Sequence, residues 1–322
     1  MQPQVFCLGA INIDLVFQVA DLAGFLRNWG TGLTRGGEEA LSGEDEARLL
    51  DLLGRFGRPS GRFGGGQAAN TAYALARLGF PAALVGRLGA DEDGIFIRDS
   101  LRGVNLDYVV QAGASGRAYI LVDPEGERTI LVAPNANDEL RESDLPWGEL
   151  EQTRFIHLTP LAGDGALAVQ VQITRRLEGP RLTFDPGELD ARRGRGALEE
   201  LLDHVETLMV TEAEWALLGG GLQSHPVWAP PIILIKRGPL GARLLTPVRY
   251  LDIPASFEGP LVDTLGAGDV FAAGYLAGLL TGLNLPQAVR LAEYAAAYKL
   301  GGAGREGYPD KRVLERIIAR LR

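Results

Sequence analysis

Residues 262–280 read VDTLGAGDVFAAGYLAGLL. Three small residues, Gly266, Ala267 and Gly268, stand directly before an acid, Asp269, and a long small-and-apolar run follows. Glycine weakens a helix and an aspartate is seldom buried without a partner, so this cluster at the mouth of a buried helix asks for a reason. Two readings are open. In one, the glycines allow a tight turn and Asp269 caps the helix. In the other, the backbone N–H groups of residues 266–268 converge on an anion at the helix start, with Asp269 as a base beside it. A carboxylate next to a phosphate makes sense where it takes a proton from the hydroxyl that attacks that phosphate.

The rhythm of the chain before this stretch sets the fold. From about residue 155, β-rich and helical runs alternate: RFIHLTP precedes DGALAVQVQITRRL, RLTFDPG precedes GALEELLDHV, TLMVT precedes EAEWALLGG, and PIILIKRG follows. This alternation predicts a mostly parallel sheet with helices on both faces. In such sheets ligands collect where strands end and helices begin, which is where 263–269 would lie. Two β-like runs, ARLLTP and VRYLDIPA, lead into it, and the last forty residues read as helical.

The first half is more mixed. QVFCLGAINIDLVF reads as a strand, a turn at Gly9 and further extended chain, PAALVGRLG as a strand, and DEDGIFIRDSLRG as a capped helix. AYILVDPEGERTILVAP is a hairpin signal centred on DPEGE. The hairpin and the early extended chain predict a small β lid formed mainly from parts of 12–35 and 106–135, within a single domain spanning 1–322. Residues 21–63 carry two helical segments, LAGFLRNW and GEDEARLLDLLGRFG.

Two further clusters can bear chemistry. In GGGQAANTAYALARLG (64–79), Gly65 and Gly66 permit close backbone approach and Asn70 offers both donors and acceptors, as sugar hydroxyls require; the alternative is a glycine turn with Asn70 as a cap. In GAINID (9–14), Asn12 and Asp14 follow a strand, and Asp14 could accept from vicinal hydroxyls, or both could be turn formers. Gly64-x-Gly66-x-x-Ala69 and Gly302-x-Gly304-x-x-Gly307 each fit a dinucleotide fingerprint. Neither is expected to follow a first strand, so both read as chance matches. The GxxxxGK[ST] loop and the protein-kinase HRD and DFG sequences are absent.

Composition narrows the class. Apolar residues make up 46% and charged residues 23% of 322, so a folded chain is expected. A net charge of −9 argues against nucleic-acid binding. The one cysteine, Cys7, lies in an apolar run and reads as a buried thiol, and the three histidines are too dispersed for a metal site. No signal peptide and no membrane span are expected, which points to the cytoplasm.

Taken in order, GAINID, GGGQAANTAYALARLGFPAALVGRLGADEDG, TEAEWALLGG and DTLGAGDVFAAGYLAGL resemble the ribokinase-like, or PfkB, carbohydrate kinases over essentially the whole chain. The resemblance implies a Rossmann-like α/β domain with a β lid, and transfer of the γ-phosphate of ATP to a hydroxymethyl group of a small sugar. By position it makes Asp269 the catalytic base and the backbone of Gly266, Ala267 and Gly268 the anion hole. Asn12, Asp14, Gly65, Gly66 and Asn70 would hold substrate hydroxyls, while Lys236, Gly238, Gly241, Gly266 and Gly268 would meet the nucleotide. Glu214 matches an acid that organises Mg²⁺ through water, with Thr211 where the family usually has Asn. Asp263 and Leu265 match positions near a monovalent-cation site. The resemblance allows such a cation and a homodimer through the lid. The helical segments in 21–63 resemble the insertion of adenosine-kinase-like members, which keeps a nucleoside as the alternative substrate. With aromatic residues at 7% and no evident pair to sandwich a base, a sugar comes first. A non-catalytic binding protein on this fold would be expected to lack the base or the anion hole, and both are present.

Overall fold

The computed structural model describes residues 2–30, 32–257 and 259–321. Its main sheet has nine strands. The first strand, β1 (Val5–Leu8), is interior, with β5 (Ala82–Leu88) and β6 (Val109–Gln111) on one side. On the other side follow β9 (Phe155–Leu158), β10 (Arg181–Phe184), β11 (Thr207–Thr211), β12 (Ile232–Lys236), β13 (Ala242–Thr246) and β14 (Arg249–Ile253). Neighbours from β6 across to β12 run parallel, and the β12–β13–β14 edge is antiparallel.

The pleat of these strands feeds two helical layers. Val5 and Cys7 of β1 point into one layer, Phe6 and Leu8 into the other, so the strand is apolar at every position. The first layer holds α3 (Gln67–Arg77), α4 (Glu92–Ser100), α10 (Ala267–Leu280), α11 (Leu285–Leu300) and α12 (Lys311–Leu321). The second holds α5 (Trp147–Glu151), α6 (Asp164–Arg176), α8 (Arg195–Leu202) and α9 (Glu212–Leu217). A short α7 (Gly187–Arg193) follows β10. Among the described residues no helix is long and apolar enough to cross a membrane.

Helix α10 explains the composition of the 262–280 stretch. Every residue from Asp269 to Gly278 is buried, so the helix has no polar face. A Cβ on Gly274 would lie 2.8 Å from the Cα of Ala292, and one on Gly278 would lie 2.8 Å from the Cα of Ala288. Here α10 and α11 touch backbone to backbone, which only small residues allow.

A second sheet of five strands lies in the order β3 (Glu38–Ala40), β8 (Arg128–Ala133), β7 (Gly116–Val122), β2 (Asn12–Val19), β4 (Gly57–Gly65). The expected hairpin is β7–β8. Its alternation divides two environments: Tyr119, Leu121, Leu131 and Ala133 pack under α1 (Leu22–Trp29) and α2 (Asp45–Phe56), while Ala118, Ile120, Ile130 and Val132 face a cavity. Strands β2, β7 and β8 of this sheet lie in parts of 12–35 and 106–135, the expected lid segments. Residues 22–29 are helical, 109–111 belong to the main sheet, and β3 and β4 contribute strands from 38–40 and 57–65. GRPSGRFGG, the β4 stretch, is rich in glycine and carries a proline, both poor strand formers. It sits at the sheet edge, where Pro59 owes no ladder hydrogen bond, and a register shift opposite Val16 and Phe17 absorbs Ser60.

The α10–α11 contact is testable. Gly274→Ala is expected to cost about 1–3 kcal/mol in urea unfolding, because backbone stands in the way. The control Gly165→Ala, at an exposed first-turn position of α6 with nothing within 4 Å of the new methyl, should instead stabilise by about 0.5–1 kcal/mol.

Candidate active site

Three chain joints meet between the two sheets. The first carries β1 into β2 through residues 9–11, and the second carries β4 into α3. They run side by side, with Asn12 paired to Gly65. A Cβ on Gly66, whose φ is 88°, would lie 2.2 Å from the carbonyl oxygen of Ala10. The third joint is the entry to α10, where Gly266 takes the left-handed φ of 78°. The joints border a cavity of about 290 Å³.

One end of this cavity presents hydroxyl-binding groups. Asn137 accepts from the Ile11 N–H at 2.9 Å and donates through Nδ2 to Asn12 Oδ1 at 2.7 Å. That fixes the Asn12 amide with its own NH₂ left for the cavity. Asp14 is 6% exposed and accepts no hydrogen bond among the described residues. Burial raises its carboxyl to about 7, against the lowering effect of the Arg305 guanidinium. Gly65 makes room for it, since a Cβ there would fall 1.9 Å from Asp14 Oδ1.

The other end carries Asp269. Its Oδ2 accepts from Asn70 Nδ2 at 2.8 Å, and Asn70 Oδ1 accepts from Arg305 Nε at 3.1 Å. Asn70 therefore orients the acid as well as facing the cavity. Burial pushes the Asp269 carboxyl up to about 7; the Asn70 hydrogen bond and Lys236 oppose this, and Asp185 and Asp14 add to it. As first-turn residues of α10, Gly268 and Asp269 have N–H groups with no intrahelical acceptor. Ala267 differs from expectation: its N–H donates to Thr264 O at 3.2 Å, so the cradle rests on its neighbours.

Lys236, at the end of β12, completes this end. Its Nζ donates to Asp185 Oδ2 at 2.6 Å and lies 3.6 Å from where a Gly268 Cβ would stand. An ammonium thus faces the helix start, adding a full positive charge to the partial one of the helix terminus. Burial disfavours that charge, but Asp185, Glu214 and Asp269 outweigh burial and raise the lysine pKa. Thr211 and Glu214 form a capping box on α9, with Glu214 Oε2 accepting from the Thr211 N–H at 2.7 Å. Burial raises the Glu214 carboxyl, with Lys236 opposing. On the small sheet, Glu38 also reaches the cavity; burial and the nearby acids Glu188, Glu214, Asp14 and Asp190 lift its carboxyl to about 8.

The structure therefore brings Asn12, Asp14, Gly66 and Asn70 together with Lys236, Glu214, Gly266, Gly268 and Asp269 on one cavity. Leu265 and Thr211 line it too. Gly65, Ala267, Gly238 and Gly241 do not line it. Gly241 serves the backbone, since a Cβ there would lie 2.1 Å from Ile253 O. The Gly64–Ala69 fingerprint overlaps the end of β4, the edge strand of the small sheet and not the first strand of the main one. Sequence reasoning missed Asp185, Glu38, Asn137 and Arg305. Only Asp185 carried a signal, an acid just past the strand in RLTFDPG. Cys7 is buried as expected, and burial pushes its thiol far up.

The model of the pfkB family carbohydrate kinases matches residues 60–307. An ATP-dependent ribose-1-phosphate kinase of Halopiger xanaduensis is 32% identical over 267 residues, covering 80% of this chain and 86% of that protein. A ribokinase of Bacillus subtilis is 29% identical over 262 residues, covering 79% and 87%. The adenosine kinase of Sinorhizobium meliloti shares the fold across 100% of both chains, with a TM-score of 0.83 at 22% identity. This chain belongs to the pfkB carbohydrate kinase family, and it is an ATP-dependent carbohydrate kinase.

Proposed function

We propose that the protein transfers the γ-phosphate of ATP to the hydroxymethyl group of a small sugar of the ribose type, with Asp269 as general base. The observation that carries this reading is the pair of buried acids on one cavity. Asp14 faces it without a donor, and Asp269 stands at the amide-lined start of α10. A carboxylate held in that state needs hydroxyl donors from a ligand. The relatives named for ribose and ribose-1-phosphate support a pentose over a nucleoside.

In this reading Asn12 and Asp14 grip the sugar hydroxyls and direct the acceptor hydroxyl at Asp269. Lys236 and the amides of Gly266 and Gly268 receive the transferring phosphate's charge. Asp269 takes the hydroxyl proton late, because the transition state is loose. The small sheet acts as the lid, and its apolar residues Ala118, Ile120, Ile130 and Val132 keep out water that would hydrolyse ATP.

Among the described residues no three acids, histidines or cysteines form a metal cage. One or two carboxylates with phosphate oxygens and water suffice for Mg²⁺, and Glu214 with Asp185 supplies hard oxygens beside Lys236. Mg²⁺ bound there would neutralise phosphate charge.

Asp269→Asn is expected to keep sugar binding, measured by calorimetry, and to lower kcat by about 10²–10⁴-fold; near-normal turnover would overturn the assignment. With the carboxyl near 7 in the free protein, kcat/KM for the sugar should fall about tenfold per pH unit on the acid side of that value. Phosphotransfer assays with ribose, ribose-1-phosphate, fructose and adenosine test the substrate class, and preference for adenosine would displace the sugar.

Asp14 yields a stability prediction with a definite sign. Its folded value, about 7, lies above the ordinary carboxylate value, so the folded protein holds an extra proton at acid pH and loses that stability as pH rises through about 7. Asp14→Asn removes the penalty. The ligand-free variant should melt above wild type near pH 8, with the gain shrinking towards about pH 4, while sugar binding weakens.

A further inference from the structure

We infer that Lys299 is a tethered monovalent cation: its ammonium fills the place behind the anion cradle that an exchangeable ion would take, and holds the 263–268 turn in its binding shape. The inference deepens the kinase reading and rests on it for the function of the cradle.

Lys299 lies in the last turn of α11 and is 0% exposed. Its Nζ donates to Asp263 Oδ2 at 2.9 Å, to the Asp263 carbonyl at 3.2 Å and to the Gly302 carbonyl at 2.9 Å. Three donors meet three oxygens, so the ammonium is fully satisfied. It also sits at the carbonyl-rich end of α11, where positive charge is favoured. The oxygens come from two segments that face each other, and converging oxygens repel unless a cation lies between them.

Asp263 passes this order on to the site. Its Oδ1 accepts from the Leu265 N–H at 3.0 Å and from Arg128 Nη2 at 2.6 Å, and its Oδ2 also accepts from the Gly304 N–H at 2.9 Å. The N–H groups of Val262 and Asp263 reach Leu300 O at 2.9 and 3.3 Å. The turn bound in this way ends at Leu265, directly before the cradle residues Gly266 and Gly268. Lys299 is therefore a positioning residue. The position of Asp263 and Leu265 allowed an exchangeable monovalent cation. An ion and the ammonium cannot share the same oxygens, so in this inference the lysine takes the ion's place. An apolar residue would fill the same volume without desolvating a charge, so a purely space-filling role does not account for a buried lysine here.

The test compares cations at constant ionic strength. Wild-type turnover should be equal within about twofold in tetramethylammonium, Na⁺, K⁺ and NH₄⁺. Lys299→Ala in tetramethylammonium should lose kcat about tenfold or more with a raised KM for ATP, and K⁺ or NH₄⁺ should restore both while Li⁺ does not. A second readout needs no substrate. The variant should melt roughly 5–10 °C below wild type in tetramethylammonium and recover with K⁺ or NH₄⁺, whereas wild type does not respond. If the variant folds poorly, its refolding yield with and without K⁺ gives the same comparison. Stimulation of wild type by K⁺, or defects in the variant that no small cation relieves, would overturn the inference. The melting arm stands even if none of the sugars tested is the substrate.

Discussion

The buried end of α10 sets a charge problem that the surrounding elements exist to balance. Asp269 is 8% exposed and burial raises its carboxyl to about 7, although a helix N-terminus attracts negative charge. The groups that steady it come from distant parts of the chain: Asn70 from α3, Arg305 from the turn after α11, and Lys236 from β12. Lys236 is half-buried and held by Asp185 past β10, with Glu214 adding its charge. No local segment could assemble this set. Parallel strands ending side by side bring their following turns to one edge, and the balance follows from that topology.

Packing then fixes where the acid stands. The backbone contact of α10 with α11 at Gly274 and Gly278 leaves α10 little freedom to slide or roll. Gly266 turns the chain into the helix against the Tyr308 hydroxyl, 2.4 Å from a would-be Cβ. The helix start is thus clamped from its far end by small residues and from its near end by the turn. Electrostatic stabilisation of a transferring phosphate requires this kind of prior placement, since a cradle that must reorganise loses its advantage.

Much of this was legible before any coordinates. Alternating apolar and helical runs from residue 155 onward set out the parallel sheet, because each strand there is buried on both faces and each helix carries its own periodicity. The acid and its glycines stood out because their composition conflicts with a plain buried helix. What escaped reading is non-local. β4 carries a proline and glycines that local propensity assigns to a loop, and only pairing with β2 makes it a strand. Asn137, Arg305 and Lys299 lie 125 residues from Asn12, 235 from Asn70 and 36 from Asp263, so no motif window contains them with their partners.

The outer face of the small sheet is already covered by α1 and α2, and its apolar inner residues line the cavity. Ala118, Ile120, Ile130 and Val132 form a greasy ceiling on the small sheet, with Asn12 and Asp14 on the same face beside them, above a polar floor of Asn70 and Asp269. A sugar bound between them would turn its hydroxyls to Asn12, Asp14 and the floor and a C–H face to the apolar part of the ceiling. Drying that ceiling lends binding a negative heat-capacity change larger than so polar a ligand would bring alone. Warmth would then shift the balance of the complex from entropy toward enthalpy, a calorimetric trace of a carbohydrate site that is half hydrocarbon.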